Sequence, residues 1–208
     1  MNEPAIRMEE QIISLFPERE TLICLGWVLK KMERQLLVHP LYYRFSAGDI
    51  RDNVRRCEEI SRQCGAECVF RIVEYTNYHL SSILTDSGYG LKKCGVVGEW
   101  NMAANAGRLC TERKTQGSLS LKSAGGQTEY IMAGEGKVVG IKRRGLLFLP
   151  HENPPGTELE DILRFGAADG ITRILADIPG KEELPGQYER AGFRRAYLYR
   201  CYQKNRED

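Results

Sequence analysis

No stretch of the 208 residues approaches the ~20 consecutive apolar residues that a membrane-spanning helix requires, so a membrane partner is not expected. The chain also lacks an excess of one charge. Thirty basic residues face twenty-eight acidic ones, a formal net charge of +2, which gives no reason to expect a nucleic-acid partner. Histidine is scarce, with three residues at 39, 79 and 151. Seven cysteines sit at 24, 57, 64, 68, 94, 110 and 201, and only Cys57, Cys64 and Cys68 cluster. A zinc site needs paired cysteines with a second pair or histidines at set spacing. None is present, so no metal is expected and these thiols read as small buried apolar groups. An odd cysteine count suits free thiols in a reducing compartment. Met1 to Glu10 carries charges where a secretory leader would be apolar, and the expected location is cytoplasmic.

What is present is an ordinary globular composition, 42% hydrophobic and 28% charged, long enough for one or two domains. The most patterned stretch is the last third. Leu146-Leu147-Phe148-Leu149 reads as a strand that breaks at Pro150. The segment His151-Glu152-Asn153-Pro154-Pro155-Gly156 then leads into a helix with Leu159, Ile162, Leu163 and Ala167 on one apolar face. Gly170 stops that helix, and Ile171 to Ile178 follows as a β-branched strand. Tyr188-Glu189-Arg190-Ala191-Gly192-Phe193 turns into a last strand, Ala196 to Tyr202.

Earlier in the chain, residues 4 to 16 predict an amphipathic helix with Ile6, Ile12, Ile13, Leu15 and Phe16 set against a polar face of Arg7, Glu9, Glu10 and Gln11. Thr21 to Leu29 predicts one strand bent at Gly26-Trp27, with Trp27 in the core. A basic turn, Lys30 to Glu33, joins it to a neighbour over Arg34 to His39. A helix is expected from about Ile50 to Cys64, its four arginines interleaved with Asp52, Glu58 and Glu59 in a salt-bridged face. Cys68 to Ile72 is a strand, His79 to Leu84 a short helix, and Ser87-Gly88-Tyr89 turns into a strand near Lys92 to Val97. Glu99 to Gln127 is polar and lacks periodicity, so it reads as linker, with a short helix over Trp100 to Ala106. Thr128 to Ala133 and Lys137 to Ile141 form a hairpin. The order helix, glycine, strand, short helix, Gly-aromatic, strand occurs twice, a weak internal repeat.

At Gly170-Ile171-Thr172-Arg173-Ile174-Leu175-Ala176 and Tyr188-Glu189-Arg190-Ala191-Gly192-Phe193 the chain resembles the GCN5-related N-acetyltransferase (GNAT) superfamily. Gly26-Trp27, Val69-Phe70-Arg71-Ile72 and Ser87-Gly88-Tyr89 resemble the amino-terminal half of bacterial members that carry two GNAT-like halves. The resemblance implies an α/β fold with a mixed, mostly antiparallel sheet flanked by helices. It places an amino-terminal half over 1–98, a linker or acceptor loop over 99–127, and an acyl-CoA-binding half over 128–208.

It further implies an N-acetyltransferase that moves an acetyl group from acetyl-CoA, as co-substrate, to an amine of a small molecule or peptide. Phe148, Leu149, His151, Asn153, Gly156, Thr157 and Lys181 are the expected acetyl-CoA contacts, and Tyr188 stands where the family places the acid that protonates the leaving thiolate. Tyr188 reads equally as a tyrosine packing the last helix on the sheet. For the base, Glu129 and Glu152 are the nearest carboxylates to the strand edge. The chain departs from the family at the pyrophosphate loop, where Pro154 and Pro155 lack N–H donors, and at Lys181, where the family often has asparagine. These departures leave open a second reading, a GNAT-fold binding protein without catalysis. Lys137, Lys142, Arg143 and Arg144 suit the 3′-phosphate of the carrier better than nucleic acid, for want of interleaved aromatics. A homodimer is compatible with the sequence, and the acceptor is open.

Overall fold

The computed structural model describes residues 3–16, 21–32, 34–41, 50–74, 78–105, 119–125, 127–133, 136–150 and 159–204. The chain divides into two compact units, residues 1–94 with 198–208, and residues 95–197.

The first unit contains α1 (Glu3–Leu15), β1 (Thr21–Cys24), β2 (Trp27–Lys31), β3 (Gln35–His39), α2 (Ile50–Gln63), β4 (Glu67–Val73) and α3 (Tyr78–Asp86). It also holds the start of β5 (Tyr89–Asn101) and the end of β11 (Arg194–Lys204). Strands β1, β2 and β3 pair antiparallel, β3 and β4 pair parallel, and β4 pairs antiparallel with β11. Helix α2 forms where Ile50, Val54, Cys57 and Ser61 recur at helical spacing and are buried. Its outer face is charged as expected, with Arg55 bonded to Asp52, Arg56 to Glu59 at 2.7 Å, and Arg51 to Asp86 at 3.2 Å. In the core, Trp27 meets Phe70 edge-on at 6.0 Å and Phe70 meets Tyr89 edge-on at 5.1 Å. Burial drives the thiol pKa of Cys57 upward and pushes that of Cys68 up to about 12, so both are inert at neutral pH. No group of three or more His, Cys, Asp or Glu among the described residues could hold a metal ion.

Two expectations in this unit are corrected. The single bent strand over Thr21 to Leu29 is a hairpin, because Leu25 and Gly26 take φ of +50° and +81° and reverse the chain between β1 and β2. Lys30 and Lys31, expected in a turn, are therefore strand residues. Glu9 lies on the buried face of α1, fully enclosed, where Arg71 Nε donates to its Oε1 at 2.8 Å and His39 Nδ1 lies 2.8 Å from the same atom. The Arg71 guanidinium in turn stacks 3.4 Å from the Tyr199 ring centroid. The Arg71 cation, seconded by the His39 ring, outweighs the helical pattern of α1, which alone would leave this carboxylate in solvent.

Burial lowers the pKa of His39 from its ordinary value of 6.5, against the opposing pull of its hydrogen bond to Glu9. The folded state therefore binds this proton less readily than the unfolded chain. The stability this group contributes is complete above pH 6.5 and declines as pH falls below it. Urea unfolding from pH 8 to pH 5 (about three units, spanning the ordinary histidine range) is expected to show that decline, and His39→Gln to lose this component of the slope. An unchanged slope in the variant would mean that His39 is not buried neutral.

The second unit holds the rest of β5, α4 (Met102–Asn105), β6 (Ser120–Gly125), β7 (Thr128–Ala133), β8 (Lys137–Arg143), β9 (Leu146–Leu149), α5 (Leu159–Ala168), β10 (Arg173–Pro179), α6 (Gly186–Arg190) and the start of β11. Its strands lie in the order β5-β10-β9-β8-β7-β6. Every neighbouring pair is antiparallel except β9 and β10. Strand β6 lies within the stretch expected to be linker. Its Ser-Leu-Lys-Ser-Ala-Gly composition carries no apolar alternation, and its pairing with β7 comes from backbone hydrogen bonds that periodicity does not report. Gly98 on β5 has a packing reason: a Cβ there would sit 2.9 Å from Leu184 and 3.3 Å from Phe193.

The fold class is the expected one, α/β with mostly antiparallel pairing and flanking helices. The internal repeat is visible in chain order: β3-α2-β4-α3-β5 is followed by β9-α5-β10-α6-β11, with a parallel pair around the first helix each time. No described helix is long and apolar enough to cross a membrane.

Candidate functional site

The only parallel pair of described strands in the second unit has a special property at its carboxyl end. Its ladder stops at Leu149 opposite Ala176, where Pro150 ends β9, yet β10 continues through Asp177 and Ile178 to Pro179, held on its other side by Val97, Val96 and Gly95 of β5. Among the described residues β10 thus runs three residues beyond the last β9 rung. A strand end of this kind is where an extended, amide-bearing ligand can add to a sheet as a further strand. Phe148 and Leu149 are buried and supply the last β9 rungs of this ladder. Lys181 follows β10 directly after Gly180, whose φ is +76°, and is exposed at the same end.

Helix α5 connects β9 to β10. Its apolar face buries Leu159, Ile162 and Leu163, and Gly170 at φ +73° ends it. Its first turn carries Glu160 and Asp161, bonded or paired to Arg164 at 3.1 and 4.0 Å. These acids complement the helix dipole and so compete with an anionic ligand at the same end. His151, Glu152, Asn153, Gly156 and Thr157, expected to line the loop before α5, lie outside the described residues.

The structure places the remaining expected residues apart. Glu129 on β7 lies 2.9 Å from Lys142 Nζ, which also bonds Asp169 just past the carboxyl end of α5. The hydrogen bond to Asp169, seconded by Glu129, raises the Lys142 pKa against a smaller desolvation effect. With ten residues in α5, this cluster is ~15 Å along the helix from its amino end. Of the cationic cluster, Lys142 is committed there, and Arg144 donates to Gln127 at 2.5 Å.

Tyr188 lies in α6, 1% exposed, its ring edge-on to Phe193 at 5.2 Å. The turn that made the sequence distinctive is closed by backbone bonds: Gly192 N–H donates to Glu189 O at 3.0 Å and Phe193 N–H to Tyr188 O at 2.9 Å. Trp100 Nε1 donates to Ala191 O at 3.1 Å and buried Asn105 to Gly192 O at 3.4 Å, which pins the same turn from β5 and α4.

One residue escaped the sequence reading. Asp177 is half-buried and is the first β10 residue beyond the end of β9. A carboxylate inside Ile174-Leu175-Ala176-Asp177-Ile178 was the available signal, since an acid in a β-branched strand is uncommon without a role.

No protein-family model matches the sequence, and no curated protein matches it. Solved structures do. A GCN5-related N-acetyltransferase from Kribbella flavida is similar over 97% of this chain and 96% of its own, with 11% identity and a TM-score of 0.62. A GCN5-related N-acetyltransferase from Sphaerobacter thermophilus is similar over 86% of this chain and 76% of its own, with 11% identity and a TM-score of 0.52. Identities this low speak to shape alone, and by that shape, with a parallel β9–β10 pair among antiparallel strands, this chain has the fold of the GCN5-related N-acetyltransferases.

Proposed function

We propose that the protein is an N-acetyltransferase that takes an acetyl group from acetyl-CoA and passes it to an amine of a small molecule or peptide. The observation that carries this reading is the parallel β9–β10 pair, whose last described rung is Leu149 opposite Ala176 while β10 runs on to Pro179. The amide-bearing arm of the carrier would lie along β10 there, with its thioester near Asp177. Asp177 is the base in this proposal, in place of Glu129, which is held in the Lys142 cluster at the other end of α5. It accepts a proton from the incoming ammonium, the amine attacks the thioester carbonyl, and the carbon–sulfur bond breaks as a donor protonates the thiolate. Tyr188 is the proposed donor.

The second reading is a GNAT-fold binding protein without turnover. The acidic first turn of α5 favours it, and so do Pro154 and Pro155, which cannot donate to a pyrophosphate. Thiol release from acetyl-CoA in the presence of a panel of primary amines separates the two. Amine-dependent release supports the transferase. Tight acetyl-CoA binding without release from any amine, or release that no amine accelerates, supports the binding protein.

A further inference from the structure

The β1–β2 hairpin presents hydrocarbon to solvent in a way that folding does not explain. Ile23 is 79% exposed, Leu25 61% and Leu22 44%. Leu25 occupies the first position of a two-residue turn at φ +50°, with Gly26 following at +81°. That position favours asparagine, aspartate or glycine, and a leucine there costs roughly 1 kcal/mol of backbone strain. A strained, exposed apolar tip is more often kept for binding than for stability.

Strand β1 is the outermost strand of its sheet among the described residues and pairs only with β2. Exposed edges are normally guarded by lysine, proline or a bulge. Thr21-Leu22-Ile23-Cys24 has none of these. Beside it lies an open hollow of about 530 Å³, lined by Ile23, Leu25, Asp52, Arg55, Arg56 and Glu59. The two arginines and two acids there balance, and they bond one another along α2.

We infer that this hairpin is a self-association surface, on which a second copy of the chain adds its own β1 antiparallel across a two-fold axis. A two-fold perpendicular to the sheet keeps every residue on its own face, so the pairing centres on a residue, and Ile23 is the most exposed of β1. In that register each Ile23 faces the other copy's Ile23 on one face and each Leu22 faces the other copy's Cys24 on the other, so the central pairs are apolar on both faces of the extended sheet. Leu22 is opposite Leu29 in the β1–β2 ladder, so its new pair continues the buried row of β2. A neutral rim of mixed signs suits a two-fold, since an arginine of one copy can meet an acid of the other. The same neutrality argues against an anionic membrane or nucleic acid, which would need net positive charge. The contact is small beside the roughly 1,200–2,000 Å² of stable interfaces, so association is weak and reversible.

Sedimentation velocity on the full chain from about 1 to 200 µM tests this, a range set by micromolar association. The wild type is expected to pass from monomer to dimer across that range. Ile23→Lys, at a site open enough not to disturb folding, is expected to stay monomeric with an unchanged circular dichroism spectrum. Leu25→Asn, which suits the left-handed turn, is expected to raise the melting temperature and weaken dimerisation. A monomeric wild type at every concentration overturns the proposal, as does a dimer that survives Ile23→Lys. Binding to phosphatidylglycerol vesicles by a chain that does not self-associate would overturn it in favour of a lipid-facing hairpin.

Discussion

Glu9→Ala is expected to destabilise the protein by about 3–5 kcal/mol, because it strands the Arg71 guanidinium in a site with almost no solvent. For a chain of this length that corresponds to a fall in melting temperature of roughly 6–20 °C. Two partners lean on this carboxylate, Arg71 Nε and His39 Nδ1, both at 2.8 Å from Oε1. Removing it leaves the cation buried against Tyr199 with its strongest acceptor gone. The comparison is Glu3→Ala on the same helix. Glu3 pairs with Arg7 at 2.9 Å, but both side chains are about 70% exposed, and such pairs contribute under ~1 kcal/mol. Thermal and urea unfolding of the two variants should therefore differ sharply. Equal, small losses would show that α1 does not seat Glu9 against β4.

The second large effect is catalytic. Asp177→Asn and Tyr188→Phe are each expected to lower amine-dependent thiol release by roughly 10²–10⁴-fold, the usual contribution of a positioned acid or base. The two substitutions separate chemistry from packing. Phenylalanine keeps the ring that meets Phe193 edge-on at 5.2 Å, so the melting temperature should shift little while turnover collapses. Asparagine at 177 keeps size and hydrogen bonding but cannot take the proton. It should therefore lose turnover most where the wild-type rate depends on an ionised carboxylate. If Tyr188→Phe retains full rate, the tyrosine is a packing residue alone; if Asp177→Asn does so, the base lies elsewhere.

The elements that could be read in the sequence are those whose information is local. The apolar spacing of Ile50, Val54 and Cys57 fixes α2, and the Tyr-Glu-Arg-Ala-Gly-Phe turn shows where α6 ends, because glycine at φ +96° is what that reversal needs. Trp27 was legible as core for the same reason, a large ring in an apolar run. What was not legible depends on partners far along the chain. Glu9 has its ligands 30 and 62 residues away, so helical periodicity put it in water. Leu25 at a hairpin turn contradicts its own conformational preference, and β6 owes its existence to the β7 backbone rather than to its side chains.

The site divides along the same line. Phe148 and Leu149 could be placed at a strand end because they close an apolar run before a proline. Asp177 drew no notice because its place in the proposal depends on the registry between β9 and β10, which no local pattern carries. Glu129 looked close to the strand edge in sequence, yet strand direction carries it to the carboxyl end of α5, where Lys142 and Asp169 take it up.

The central claim, that the carboxyl end of the β9–β10 pair holds an acyl-CoA, is most directly tested by isothermal titration of the intact protein with acetyl-CoA. A dissociation constant in the micromolar range, roughly −8 kcal/mol, is the predicted result. No heat and no saturation at millimolar acetyl-CoA would contradict it, leaving a protein that shares the fold of these enzymes but not their carrier.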